Sequence, residues 1–295
     1  MSRRLLLLLA LGGCDRVFGL ERDLERAVCG PFGPPEPVVF APELGAVSDL
    51  SVDATGTAGM VHANLGNGAI GAWRGPHAVM KDGTGTWVQD TVRDRPVLNS
   101  LDGAHLTADG TGAMSWIDSP RGVMANVLAF AGGAWSTVAQ DVVERQTDKD
   151  VHIGNVIDLP IGTGLVQRFA VEIRLSFDRA SPGELRIIQR IPTDSFWMVT
   201  GQATPLNTTT PALSHNGGVM TADHEILVYT AVVGKETRSR AFASRRIRDT
   251  FGPGVELIID GVEADASITE PWINADCTRL YYREGDTTWV TNARP

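Results

Sequence analysis

Asp53-Ala54-Thr55-Gly56-Thr57-Ala58-Gly59-Met60 and Asp109-Gly110-Thr111-Gly112-Ala113-Met114 are two copies of one phrase. Each is a turn rich in Gly and Thr that delivers the chain into an apolar run. Further on, each copy reaches an aromatic strand start, Trp87-Val88 after the first and Trp135-Ser136 after the second. A looser copy turns at Gly162-Thr163-Gly164, and Asn216-Gly217-Gly218 and Asp276-Cys277-Thr278 supply two more. The anchors fall at 53, 109, 162, 216 and 276, in steps of 56, 53, 54 and 60 residues. Each step has room for four strands with their turns, a period that marks a repeat architecture.

The texture between anchors agrees. Ala69-Ile70-Gly71-Ala72-Trp73, Phe169-Ala170-Val171-Glu172-Ile173, Ile226-Leu227-Val228-Tyr229 and Leu280-Tyr281-Tyr282 are strand-length runs bounded by turn formers. No helix of three turns is legible after residue 31. The class is all-β, and among sandwich, barrel and propeller the repeats select a single β-propeller. Five anchors predict five blades, or six if two repeats have merged.

A second match predicts how the ring closes. Pro31-Phe32-Gly33-Pro34-Pro35-Glu36-Pro37-Val38 resembles Thr250-Phe251-Gly252-Pro253-Gly254-Val255-Glu256-Leu257. The late copy leads to Glu270-Pro271-Trp272-Ile273-Asn274-Ala275-Asp276, and the early copy to Ser48-Asp49-Leu50-Ser51-Val52-Asp53. The chain therefore starts with the outer strand of a blade whose inner strands come last. Residues 31–40 should pair with the blade built from residues 270–293, removing the open sheet edges.

The chain of 295 residues is 43% hydrophobic and 21% charged, enough for a full core and too apolar for disorder. Its formal charge is −9, from 26 basic and 35 acidic residues, and no basic stripe offers a footprint for nucleic acid. Residues 1–13 read as a signal peptide: Arg3-Arg4, a short apolar run from Leu5, then Gly12-Gly13. The ending Leu11-Gly12-Gly13-Cys14 resembles the bacterial lipobox, which implies lipidation of Cys14 and a membrane attachment through the acyl anchor. The balance left after loss of Arg3 and Arg4 is −11. Residues 14–30 are the lipidated tether, either a linker or a short helix over Leu20, Leu24 and Val28, and residues 31–295 are the propeller domain. The protein is thus expected to be exported and membrane-anchored, facing periplasm or cell surface, with the choice of inner or outer membrane open.

Lipidation takes one of three cysteines and leaves Cys29 and Cys277, an even number in an oxidising compartment. Cys29 precedes the closing strand and Cys277 follows the Asp276 turn of the same blade. The shared-strand reading therefore predicts a disulfide between them.

Pro271-Trp272-Ile273-Asn274-Ala275-Asp276 before Leu280-Tyr281-Tyr282 resembles the repeat of TolB-like propellers, and Pro211-Ala212-Leu213-Ser214-His215-Asn216-Gly217 is a second copy. Gly85-Thr86-Trp87 and Gly133-Ala134-Trp135 are similar to a related repeat in which Gly-x-Trp opens the outer strand. By that resemblance the partners would be peptidoglycan-associated or outer-membrane proteins. Lys81-Asp82-Gly83-Thr84-Gly85-Thr86-Trp87 approaches the Asp-box of sialidase-like propellers, itself a turn motif.

Catalytic signals are sparse, and no residue is assigned a catalytic role. Tyr229, Tyr281 and Tyr282 lie in strand-like runs, which disfavours a sialidase tyrosine nucleophile. Asp49, Asp109 and Glu172 are candidate acids that the sequence does not separate from turn and surface acids. His62, His77, His105, His152, His215 and His224 show no zinc spacing, and Asp148-Lys149-Asp150 with His152 reads as a solvated loop. The seven tryptophans read as packing between blades. No metal or cofactor is expected. The leading expectation is a monomeric, non-enzymatic, lipid-anchored propeller that binds or scaffolds an envelope protein or glycan. The alternative is a five-bladed carbohydrate-active hydrolase, glycosidase or sialidase-like. Carboxylates gathered at the central funnel would favour the second, and a neutral funnel the first.

Overall fold

The computed structural model describes residues 29–65, 73–94, 103–106, 110–119, 122–143, 150–155, 167–174, 183–190, 196–202, 212–221, 225–233, 238–247, 250–274 and 276–294. Cys14, the signal at 1–13, most of the tether, Asp109 and the anchor at Gly162 lie outside the described residues. Within them the chain is all-β, with one 3₁₀ turn at Pro42–Leu44. No described helix is long and apolar enough to cross a membrane.

The strands form a propeller arrangement of four sheets. In one, β2 (Val47–Val52), β3 (Ala58–Leu65), β4 (Trp73–Lys81) and β5 (Trp87–Gln89) follow chain order. An eight-stranded sheet holds β6 (Gly103–Leu106), β7 (Gly112–Ser119), β8 (Gly122–Ala131), β9 (Ala134–Val143), β10 (Asp150–Asn155), β11 (Gln167–Arg174), β12 (Gly183–Arg190) and β13 (Phe196–Gln202). The next has β14 (Ala212–Met220), β15 (Ile226–Val233) and β16 (Ser239–Ile247), with β17 (Thr250–Phe251) and β18 (Val255–Glu256) both on β16. The last joins β19 (Ile268–Ile273), β20 (Arg279–Glu284) and β21 (Thr287–Asn292) to β1 (Glu36–Pro37).

Four sheets replace the five blades expected. The difference arises in the eight-stranded sheet, where β13 runs parallel to β9, with Phe196 opposite Val142 and Trp197 opposite Val143. Two repeats end in strands whose free edges meet, and their backbone groups satisfy one another.

The anchor Asp53 and the Asp82 of the Asp-box-like stretch are both turn acceptors. Asp53 accepts from the Thr55 hydroxyl and from Thr57 and Ala58 N–H. Asp82 accepts from the hydroxyl and N–H of Thr84 and from Thr86 N–H. Such carboxylates hold tight turns by replacing a backbone acceptor. Two anchors need correction. Asn216-Gly217-Gly218 lies inside β14 at a register shift between Asn216 and Gly218, so its glycines mark a bulge rather than a turn. In the last repeat the counterpart of Asp53 is Asn274, not Asp276. Asn274 Oδ1 accepts from Arg279 N–H five residues on, as Asp53 Oδ1 does from Ala58 N–H.

Both faces of the inner strands are buried, so alternate residues enter different cores. Met60 and Ala78 pack with Ala104, Leu106, Leu128 and Trp135 of the eight-stranded sheet. Val61, Ala63 and Val79 turn instead to a larger core with Phe32, Leu44, Trp87, Trp272, Tyr281 and Tyr282. Of the seven tryptophans, Trp87, Trp135 and Trp272 are buried there as packing.

The Phe32 and Phe251 copies adopt one geometry. Phe251 stands opposite Arg246 and Phe32 opposite Ala293, and both rings are buried. Gly252 N–H donates to Arg245 O at 2.8 Å, and Gly33 N–H to Asn292 O at 2.8 Å. Two residues further along the partner strands, Val255 faces Ala243 and Glu36 faces Val290. The early copy thus pairs with β21 at the opposite end of the chain. It then runs on to β5, with Ala41 N–H donating to Trp87 O and Trp87 N–H to Val39 O. Cys29 and Cys277 are joined as a disulfide, their Cα atoms 5.5 Å apart and 248 residues apart in sequence.

Candidate functional site

β2 and β19 lie side by side as the first strands of neighbouring sheets, and they are built alike. Each buries residues one, four, five and six and leaves the third accessible. Each carries an irregularity at that point, between Ser48 and Ser51 and between Thr269 and Trp272. The third residues are Asp49 and Glu270, with φ of 52° and 50°. Apart from Cys277, these are the only non-glycine residues with positive φ among those described. Glu270 also precedes Pro271, whose ring narrows its choices further. A bulge that forces two acids into this conformation re-aims both side chains to one place.

There the groups engage one another. Asp49 N–H donates to Glu270 Oε2 at 2.9 Å. Arg283 on β20 donates from Nη1 to Glu270 Oε1 at 3.2 Å and from Nη2 to Asp286 at 3.3 Å. Asp49 retains contact with solvent, yet the protein around its carboxyl strips away enough water to push its pKa up to about 7. The charge of Glu270 raises it further, and Arg283 opposes both. A carboxyl so placed is a proton donor near neutral pH, beside a carboxylate already braced by a guanidinium.

Below this trio the first strands close on each other. Trp272 donates from Nε1 to Val52 O at 3.0 Å and stacks on His105 of β6, ring centroids 5.8 Å apart. Ser51 Oγ accepts from Leu106 N–H at 2.9 Å. Burial holds His105 down to a pKa of about 4, so it is neutral packing material. The polar trio therefore caps an apolar plug.

Of the acids singled out from sequence, Asp49 lies in this site. Glu172 falls on β11, the second strand of its repeat, and Asp109 lies outside the described residues. Glu270 and Arg283 were missed. Their signal was present, since correct pairing of Asn274 with Asp53 sets Glu270 opposite Asp49; pairing with Asp276 slips the repeat by two residues. Tyr229, Tyr281 and Tyr282 are buried in strands, and burial pushes the hydroxyls of Tyr281 and Tyr282 up, so none is presented as a nucleophile. His77 is buried on Asp94, at 2.9 Å, within the first sheet. Among the described residues no three His, Cys, Asp or Glu gather to hold a metal.

The chain matches no protein-family model and no curated protein. Among solved structures it is similar to a mannose phosphorylase from Leishmania mexicana, at 8% identity and TM-score 0.49, covering 96% of this chain and 93% of that one. It is also similar to the catalytic domain of an α-L-arabinofuranosidase from Coprinopsis cinerea, at 10% identity and TM-score 0.48, covering 90% and 98%. A gluconolactonase from Xanthomonas campestris follows at 10% identity and TM-score 0.42, covering 91% and 99%. At such identities and scores none of these transfers an activity.

Proposed function

We propose that this protein is an exported, lipid-anchored β-propeller that binds an envelope glycan or protein as a monomer, at the trio of Asp49, Glu270 and Arg283. The observation that carries this reading is the pair of positive-φ acids on adjoining first strands, brought together above the stacked rings of Trp272 and His105. A carboxyl that keeps its proton to about pH 7, beside Glu270 and a guanidinium, offers donors and acceptors together, the array that hydroxyl-rich or amide-rich ligands satisfy. Within the eight-stranded sheet, β6–β9 and β10–β13 are each four strands in antiparallel sequence, linked by two parallel pairs of residues. The pairing of β1 with β21 supports closure by the N-terminal segment. The test is binding of purified protein to arrayed envelope glycans and to membrane-protein extracts. Asp49→Asn and Glu270→Gln should each lose binding tenfold or more (about 1.4 kcal/mol) while melting as cooperatively as the parent. Unaltered binding by both variants would remove the site.

The raised pKa of Asp49 specifically favours a second reading, hydrolysis of a glycosidic bond with Asp49 as general acid and Glu270 as its carboxylate partner. Against it, both oxygens of Glu270 are already engaged, by Asp49 N–H and by Arg283. Release of chromophore from a panel of aryl glycosides, lost in Asp49→Asn, would establish the enzyme; no turnover across the panel leaves the binding module.

A further inference from the structure

We infer that the seam between the first sheet and the last binds a compact oxyanion of the phosphate or sulfate class, through Lys81, Arg279 and the hydroxyl of Tyr281. This corner lies beyond the C-terminal end of β2, whereas Asp49 sits in the N-terminal half of that strand, so the site is separate from the acid trio. Three elements meet there. Lys81 ends β4 opposite Trp87, two residues after Val79, which packs in the core that holds Tyr281. Its N–H donates to Thr57 O, which fixes the end of β4 beside the 53–57 turn. Gly56 of that turn, at φ 72°, brings bare backbone up to β20. A Cβ built on it would stand 2.6 Å from Arg279 Nη1 and 3.6 Å from Tyr281 Oη. Glycine at that positive φ lets the guanidinium and the phenol close on one corner.

The corner holds more donors than acceptors. Arg279 spends Nε on Asn292 Oδ1 at 3.1 Å, and neither Arg279 nor Lys81 has an acid within ion-pair distance among the described residues. The Lys81 ammonium sits over Trp87, 5.2 Å from the ring centroid, and an indole face offers it no lone pair. The Tyr281 hydroxyl is buried without a hydrogen-bond acceptor, and the neighbouring guanidinium can only donate. Burial, then the charge of Arg279, holds the Lys81 ammonium below its usual range, as expected of two cations with no carboxylate between them. Burial pushes the Tyr281 hydroxyl up, which keeps its proton available for donation. A three-oxygen anion answers all of these groups: the two Nη groups form a fork, the phenol is a further donor and the ammonium a point charge. Neighbouring acids limit its size. Asp82 and Asp276 are exposed at this end, and the Thr84 and Thr278 hydroxyls hold their carboxyls below the usual range, so both stay ionised. Asp53 is near enough for its charge to act on Tyr281. These charges repel a polyanion or an anionic bilayer and leave room for a small anion that reaches between the two cations.

The test is calorimetric titration of the full-length protein with inorganic phosphate and with inorganic sulfate, at an ionic strength held constant with chloride. Saturable binding of at least one is expected in the parent and, unchanged, in Asp49→Asn. It should weaken roughly tenfold or more in Arg279→Gln and in Lys81→Gln. Lys81 is only half-buried at its strand end, so its variant carries the test even if Arg279→Gln melts below the parent. A hexose phosphate should displace bound phosphate. Displacement by a short-chain phosphatidic acid alone would put the group on a lipid and overturn the soluble ligand. Binding that does not saturate, or that survives both charge removals, overturns the site. Loss of binding in Asp49→Asn would move the anion to the acid trio and overturn it as well.

Discussion

Asp49 couples the chemistry of the site to the stability of the fold. Its folded pKa of about 7 lies above the ordinary 3.8, so between those values the folded chain holds a proton that the unfolded chain has released. Stability therefore falls as pH rises from 3.8 to about 7 and then levels. Because the carboxyl meets solvent, the effect is discounted to about 1 kcal/mol. Denaturant midpoints measured across that range should slope downward in the parent and run flatter in Asp49→Asn. Gly59 makes a different residue-scale prediction. A Cβ there would stand 2.8 Å from Ser51 O and 3.0 Å from the Trp87 ring, against backbone and a buried indole that have no room to give. Gly59→Ala should lower stability by about 1–3 kcal/mol, read from the same midpoints.

Among the elements, the segment from Phe32 to Ala41 reaches furthest, because it serves two sheets at once. Its Phe32 ring is fully buried, and Phe32→Ala should cost about 3–5 kcal/mol in chemical denaturation. Deleting residues 31–40 is harsher: it strips the partner from β21 and from Trp87 on β5, leaving two edges open. Aggregation or loss of a single cooperative transition is expected by light scattering and melting; a deletion variant that melts like the parent would count against closure. This element was legible in sequence because Phe-Gly-Pro recurs in a fixed frame, and a two-part outer strand repeats its residues along with its shape. The slip at Asn274 shows the opposite case. Asn and Asp accept the same backbone hydrogen bonds in a turn, so the eye follows Asp276 while the geometry follows Asn274. Arg283 left no mark in the sequence because its role depends on which strand edge it shares with Glu270, a matter of pairing across the sheet. The merged eight-stranded sheet was equally hidden, since a parallel edge contact between Phe196–Trp197 and Val142–Val143 carries no pattern of its own.

At the scale of the whole molecule, the Cys29–Cys277 disulfide and the β1–β21 pairing fasten the beginning of the described chain to its end. Chain-entropy estimates for so long a loop give about 5 kcal/mol as an upper figure. Paired Cys29→Ser and Cys277→Ser replacement should cost about 2–5 kcal/mol in non-reducing denaturation, and should match the effect of reductant on the parent. Either substitution alone should cost a similar amount, because each breaks the same bond. The same fastening sets an order of events. A polypeptide emerges N-terminus first, so Phe32 and Cys29 appear early, and their partners Ala293 and Cys277 appear only when the last repeat has been made. Until then the first segment waits with a bare aromatic ring and an unspent thiol. A chain cut short before β18 lacks Ile259, Cys277 and Ala293 together, however well its earlier repeats have formed, and so carries a visible sign of incompleteness. Surveillance of exposed thiols or rings would thus distinguish a copy that holds its last described repeat from one that lacks it.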